Sequence, residues 1–177
     1  MRYKTAYFLH GRGGSPNGTV KLLEEALMPL LDDRFTAVRP LLLHSNPDVP
    51  AEDSLKDLME IPLVTGALLI GVSLGGTLAA KLQEEAREDL TVICISSPTW
   101  VDNVRLERQH SLRFALYSSI DTVIKGRTEN WPQLAQVAID VSWLDHDTDR
   151  HRHRLVPAIA SFVNSGGSPA SFSKIVG

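Results

Sequence analysis

The chain has 177 residues, 43% of them hydrophobic, with 18 Lys plus Arg against 21 Asp plus Glu and a formal net charge of −3. This length and apolar content fit one folded domain with a sizeable core and exclude a chain that is disordered as a whole. The near-balanced charge argues against a nucleic-acid partner. The single cysteine, Cys94, cannot close an intrachain disulfide, so the fold rests on packing, as expected in a reducing compartment.

Thr5 to Leu9 reads as a strand, entered without the basic region and apolar stretch of a secretory signal, so a cytoplasmic location is expected. After a glycine-rich loop, Val20, Leu23, Leu27 and Leu30 recur at helical spacing. A second strand is expected near 35–43. The most apolar segment, GALLIGVSLGGTLAA, is broken by four glycines and a serine and is too short to cross a membrane, so no membrane partner is expected. Within it Leu68, Leu69, Ile70 and Val72 form a continuous apolar run, as do Val92 to Ile95, the pattern of central strands covered on both faces. These predict strands near 67–72 and 90–96, with a helix over Gly76 to Arg87 between them whose Leu78 and Leu82 face inward. Further strands are expected near 112–118 and 135–143. In the last, Val137, Ile139, Val141 and Trp143 alternate with polar or small residues, which places it at or near an edge.

Leu155, Val156, Ile159, Phe162 and Val163 make a final helical stripe. Because Pro157 is tolerated best in a first turn, that helix is expected to begin no earlier than about Arg152, leaving DHDTDR as a loop. The Gly- and Ser-rich NSGGSPAS then reads as the start of a flexible tail, giving a domain over 1–164 and a tail over 165–177. Alternating strands and helices predict an α/β fold: a mostly parallel sheet of about six strands with helices on both faces.

Gly71-Val72-Ser73-Leu74-Gly75 is a G-x-S-x-G placed where a buried strand gives way to a helix. A serine on so sharp a turn needs small neighbours, and Gly76 adds room for the helix to approach the sheet. A Gly/Ser turn binding phosphate at a helix N-terminus has the same spelling. A serine hydroxyl becomes a useful nucleophile only when a histidine takes its proton, and the histidine needs an acid to orient it. In parallel sheets such groups gather at the carboxyl ends of the strands. Asp121 follows one strand across the turn Ser118-Ser119-Ile120, and His146 follows the last strand in Leu144-Asp145-His146-Asp147.

With FLHGRGGSP after the first strand, LIGVSLGG at the elbow, YSSIDTVI at the acid turn and WLDHD before the closing helix, the sequence resembles the α/β-hydrolase family over roughly Tyr7 to Val163. The likeness is to its small, lidless, single-domain serine esterases. The resemblance implies a Ser73, His146 and Asp121 triad, with the backbone N–H groups of Arg12 and Leu74 as the oxyanion hole and His10 as a structural part of its loop. Asp102 is a second possible acid, because some members place it after the preceding strand, and Asp145 and Asp147 flank the histidine where a glycine commonly precedes it. Members with a lid usually insert it after the strand ending near Ser97, where about 14 residues, Pro98 to Ser111, leave no room for a cap domain. An open, shallow cleft suited to short acyl groups is therefore expected.

His44 and Trp100 are tentative substrate-binding residues, since both border the expected cleft; Trp100, like Trp131, equally suits packing at the domain edge. Cys94 reads as a small core residue. The carboxylates and imidazoles of Asp145 to His153 have chelating spacing, but interleaved Arg150, Arg152 and Arg154 oppose a metal, so no metal and no cofactor are expected. The function expected is hydrolysis of carboxylic esters or related small acyl substrates by a monomer or small homo-oligomer. The alternatives are a ligand-binding protein on the same fold and a metal-dependent hydrolase built on the His-rich loop.

Overall fold

Strands rich in apolar residues on both faces need neighbours on both edges and helices above and below. The computed structural model, which describes residues 4–173, meets that need with β1 (Lys4–Leu9), β2 (Phe35–Val38), β3 (Leu68–Val72), β4 (Thr91–Ile95), β7 (His110–Tyr117) and β8 (Ala135–Asp140). They form one six-stranded sheet in the order β2-β1-β3-β4-β7-β8, every pairing parallel. β3 and β4 sit at the centre with Ile70 opposite Ile93, and β8 is an edge strand, as its alternating pattern predicts.

Successive side chains point to opposite faces, which divides the core in two. Leu9, Leu69, Val92 and Cys94 pack with Leu55 and Leu58 of α2 (Ala51–Glu60), Leu78 and Leu82 of α3 (Leu74–Glu85) and Trp131 of α4 (Trp131–Leu134). On the other face Phe8, Ile70, Ile93 and Ile95 pack with Val20, Leu23 and Leu27 of α1 (Thr19–Leu27) and with Leu155, Ile159 and Phe162 of α5 (Thr148–Asn164). Each such side chain, fully buried, contributes about 1.5–3 kcal/mol. Among the described residues no helix is long and apolar enough to cross a membrane.

The connection from β4 to β7 holds only a small antiparallel hairpin, β5 (Trp100–Val101) and β6 (Val104–Arg105), in agreement with the absence of a cap domain. The last strand stops at Asp140 rather than near 143, leaving Val141 and Trp143 beyond it, and three further expected boundaries are corrected. β2 stops at Val38 rather than near 43, because Pro40 has no N–H for the ladder; the chain turns through a short 3-10 segment at Leu43–Ser45. Leu30 ends a 3-10 turn after α1 and is 47% exposed, so it is not part of the core stripe.

α5 begins at Thr148, four residues before the expected start, because the Asp147 side chain accepts the Arg150 N–H and caps it. Pro157 therefore lies in the helix interior, on an exposed position. Beyond residue 165, where a flexible tail is expected, Pro169–Ser173 forms α6. Its Phe172 is fully buried against Phe114 and Phe162, with ring centroids 5.4 and 5.0 Å away. One aromatic anchor outweighs the flexible composition around it. The last residues of the expected tail, 174–177, lie outside the described residues.

Candidate active site

Because all six strands run the same way, the loops leaving their carboxyl ends meet along one edge. Ser73 stands there between β3 and α3 with φ 52° and ψ −123°, a backbone conformation that L side chains rarely adopt. The turn closes because its flanks are glycines: a Cβ on Gly71 would strike the Gly76 backbone, one on Gly75 the Leu9 carbonyl, and one on Gly76 the Ser97 hydroxyl. The Ser73 N–H continues the β4 ladder to the Ile95 carbonyl at 2.9 Å. The serine is thus presented on a rigid corner.

The expected partners meet it. Ser73 Oγ and His146 Nε2 are 3.0 Å apart, and His146 Nδ1 lies 2.9 Å from Asp121 Oδ2. The carboxylate cannot donate, so Nδ1–H donates to Asp121 and Nε2 is left to accept the serine proton. Asp121 is 3% exposed, and its other oxygen accepts the Val123 N–H at 2.9 Å, which holds the carboxylate in place. The His146 loop is tied to the end of β4, where the Ser96 hydroxyl donates to the Asp145 carbonyl.

The competing carboxylates are engaged elsewhere. Asp102, at the turn of the β5–β6 hairpin with φ 50°, accepts the Ala51 N–H and an Arg12 Nη2–H at 2.9 and 2.7 Å. The Ala51 hydrogen bond, followed by the Arg12 contacts, holds its carboxyl below the usual range despite partial burial. Asp145 accepts from the Asp147 N–H and from Arg150 and lies against His151, while Asp147 caps α5. Among the described residues no group of three His, Cys, Asp or Glu side chains is placed to hold a metal ion.

Arg12 and Leu74 both line a cleft of about 420 Å³ beside Ser73. Among the described residues neither backbone N–H is used by another acceptor, and that of Leu74 belongs to the first turn of α3, where no intrahelical acceptor exists. The Arg12 side chain does not enter this arrangement: it donates to the Pro47 and Val49 carbonyls and to Asp102. It acts as a strut for its own loop. Gly11 brings that loop against the serine, since a Cβ there would sit 3.2 Å from Ser73 Cβ.

His44 is fully buried beneath this loop and does not line the cleft, which corrects its tentative place among substrate contacts. It lies beside the His10 carbonyl at 2.8 Å through Nε2 and the Ser54 hydroxyl at 3.0 Å through Nδ1, and its own carbonyl accepts the Gly13 N–H. His10 accepts the Leu42 N–H on Nε2. Two neutral imidazoles therefore brace the loop that carries Arg12.

Burial pushes His44 from 6.5 down to about 4, and it lowers His10 as well. The unfolded chain then binds protons more tightly than the fold between pH 6.5 and about 4, so stability falls as pH drops through that window. The His44 contribution is on the order of 3 kcal/mol. Urea midpoints measured from pH 7 to pH 4 should fall, and the fall should be shallower in His44→Gln; parallel curves would contradict this assignment.

Trp100 likewise lies off the cleft. Its ring is approached by the guanidinium groups of Arg105 and Arg127 at 5.2 and 5.4 Å. Trp131 is fully buried and donates Nε1–H to the Ser97 carbonyl, a packing role. The cleft instead recruits Val72, Pro98, Val101, Val123 and Ile124 as apolar wall, together with Arg127 and Thr148. Thr148 is 3% exposed, and its hydroxyl has no partner among the described residues. Neither Arg127 nor Thr148 carries a motif; Gly126, with φ 80°, is the one local sign of the turn that brings Arg127 in.

The six-stranded parallel sheet with helices on both faces has counterparts among solved structures. A hydrolase of the alpha/beta superfamily from Xanthomonas campestris superposes with a TM-score of 0.68 at 19% identity, covering 92% of this chain and 98% of that one. The chain has the α/β-hydrolase fold. Two further α/β-hydrolase-fold likenesses are alpha/beta hydrolase domain-containing protein 10 from mouse (TM-score 0.66, 14% identity, 91% and 90% coverage) and a non-heme bromoperoxidase from Mycobacterium tuberculosis (0.70, 12%, 92% of each chain). No family model and no curated protein matches the chain by sequence. At these identities the α/β-hydrolase likeness concerns architecture, and function rests on the site itself.

Proposed function

We propose that the protein is a serine hydrolase of carboxylic esters or related small acyl compounds, a cytoplasmic, lidless α/β-hydrolase active as a monomer or small homo-oligomer. The observation that carries this reading is the continuous hydrogen-bonded line from Ser73 through His146 to the buried Asp121. His146 Nε2 takes the Ser73 proton as Oγ bonds to the acyl carbon, and Asp121 stabilises the imidazolium. The oxyanion sits between the Arg12 and Leu74 N–H groups, where the positive end of α3 adds to its stabilisation. One such donor is worth about 3 kcal/mol in the transition state.

Collapse breaks the bond to the leaving oxygen, which takes the proton from His146, and Ser73 is left acylated. Water, deprotonated by His146, then releases the carboxylic acid and restores the serine. The sequence of steps requires neither metal nor organic cofactor. A cleft of about 420 Å³ with an apolar wall and no cap suits short acyl chains. Initial rates on p-nitrophenyl esters from acetate to palmitate, beside matched thioesters and amides, should be highest for the short esters. No turnover of any of them contradicts the proposal, and a preference for palmitate contradicts the short-chain assignment.

A further inference from the structure

Resting on the hydrolase reading, we infer that Arg127 is a specificity residue that selects substrates bearing a carboxylate close to the scissile ester. Two arginines line the cleft, and they differ in what they have left to offer. The Arg12 guanidinium is committed to two carbonyls and to Asp102. Arg127 donates only Nη2–H, to the Val123 carbonyl at 2.9 Å, and makes no ion pair with a carboxylate among the described residues. Asp102 feels its charge, yet that carboxylate is already shared by Arg12 and the Ala51 N–H.

The Arg127 group is held ready rather than free. Its carbonyl accepts both the N–H and the hydroxyl of Thr99, at 2.7 and 3.0 Å, and its guanidinium lies over the Trp100 ring. Nη2 carries two hydrogens and gives one to the Val123 carbonyl; the other, with the Nε–H or Nη1–H beside it, leaves one fork for a planar, two-oxygen anion, the geometry a carboxylate presents. The same cleft is lined by the apolar Val101, Val123 and Ile124, suited to a short methylene chain. The one carboxylate lining the cleft besides these elements, Asp147, follows His146 and is engaged in capping α5. An ester of a short dicarboxylic acid fits this arrangement: its acyl carbon at Ser73, its methylenes on the apolar wall and its free carboxylate at Arg127.

The test compares mono-p-nitrophenyl glutarate with neutral p-nitrophenyl pentanoate. The ratio of their kcat/KM values should favour the anion and fall about tenfold in Arg127→Gln, a size reduced by solvent at a partly exposed site. Arg127→Lys should recover part of the preference. Arg105→Gln, on the same ring but outside the cleft, should leave the ratio unchanged, and added salt should shrink it in the parent protein. In the Ser73→Ala protein, monomethyl glutarate should bind about tenfold more tightly than the same protein carrying Arg127→Gln binds it. Equal ratios, or equal binding, with and without Arg127 would overturn the assignment. Arg127-dependent binding in a protein that turns over no ester would support the anion site while removing the hydrolase reading.

Discussion

Ser73→Ala is expected to lower kcat for a short ester by at least about 10⁴-fold, leaving only the residue of catalysis that binding and the oxyanion donors provide. The size follows from the geometry: among the described residues Ser73 is the one hydroxyl in contact with His146 Nε2, at 3.0 Å, and removing it eliminates the covalent route. The fold should be unaffected, because the turn at residue 73 is secured by the glycines around it and by the backbone bond to Ile95, neither of which needs the hydroxyl. Unchanged urea midpoint with lost turnover is the expected pair of results. Turnover within tenfold of the parent would contradict the role given to Ser73.

The second large effect separates two aspartates. Asp121→Asn keeps the shape of the side chain but offers His146 a group that can donate, so the imidazole can be held in the wrong tautomer; a loss of about 10⁴-fold in kcat is expected. Asp102→Asn removes charge from a residue that contacts Arg12 and Ala51 and not His146. Its effect should be confined to the placement of the Arg12 loop, a loss of about tenfold or less, since most of that loop is also held by the buried His10 and His44. Steady-state kinetics on one short ester with both variants decides the matter; comparable losses, or a greater loss at Asp102, would contradict the assignment of Asp121.

Much of this site is legible in the sequence because its demands are local. The elbow must have small residues at 71, 75 and 76, since Cβ atoms there meet backbone or the Ser97 side chain, and that steric need is written as spacing. The central strands are legible for a similar reason: residues buried on both faces leave an unbroken apolar run in β3 and β4. The direction of polar side chains is different, because it is decided by groups far away in the chain. Asp145 and Asp147 flank His146 yet turn to Arg150, His151 and the start of α5. His44 turns inward to Ser54 and the His10 carbonyl rather than toward the cleft.

The early start of α5 is obscured by Pro157, whose position suggests a first turn. The helix accommodates it on an exposed face, while the cap at Asp147 decides the boundary. Phe172 is hidden by its Gly- and Ser-rich surroundings, although burial against two other phenylalanines is what orders α6. Arg127 leaves still less trace. Its place in the cleft depends on Thr99 and Trp100 from another connection, and no spacing within 121–127 records that contact.

Ser73, as a nucleophile activated by His146, should react with an electrophile that mimics an acyl substrate. The most direct test is to treat the protein with a fluorophosphonate and read the adduct by intact mass and peptide mapping. Stoichiometric addition of one phosphonyl group is expected, mapped to Ser73 and abolished by Ser73→Ala and by His146→Ala. A folded protein that stays unmodified, or one modified at another residue with Ser73 untouched, would contradict it.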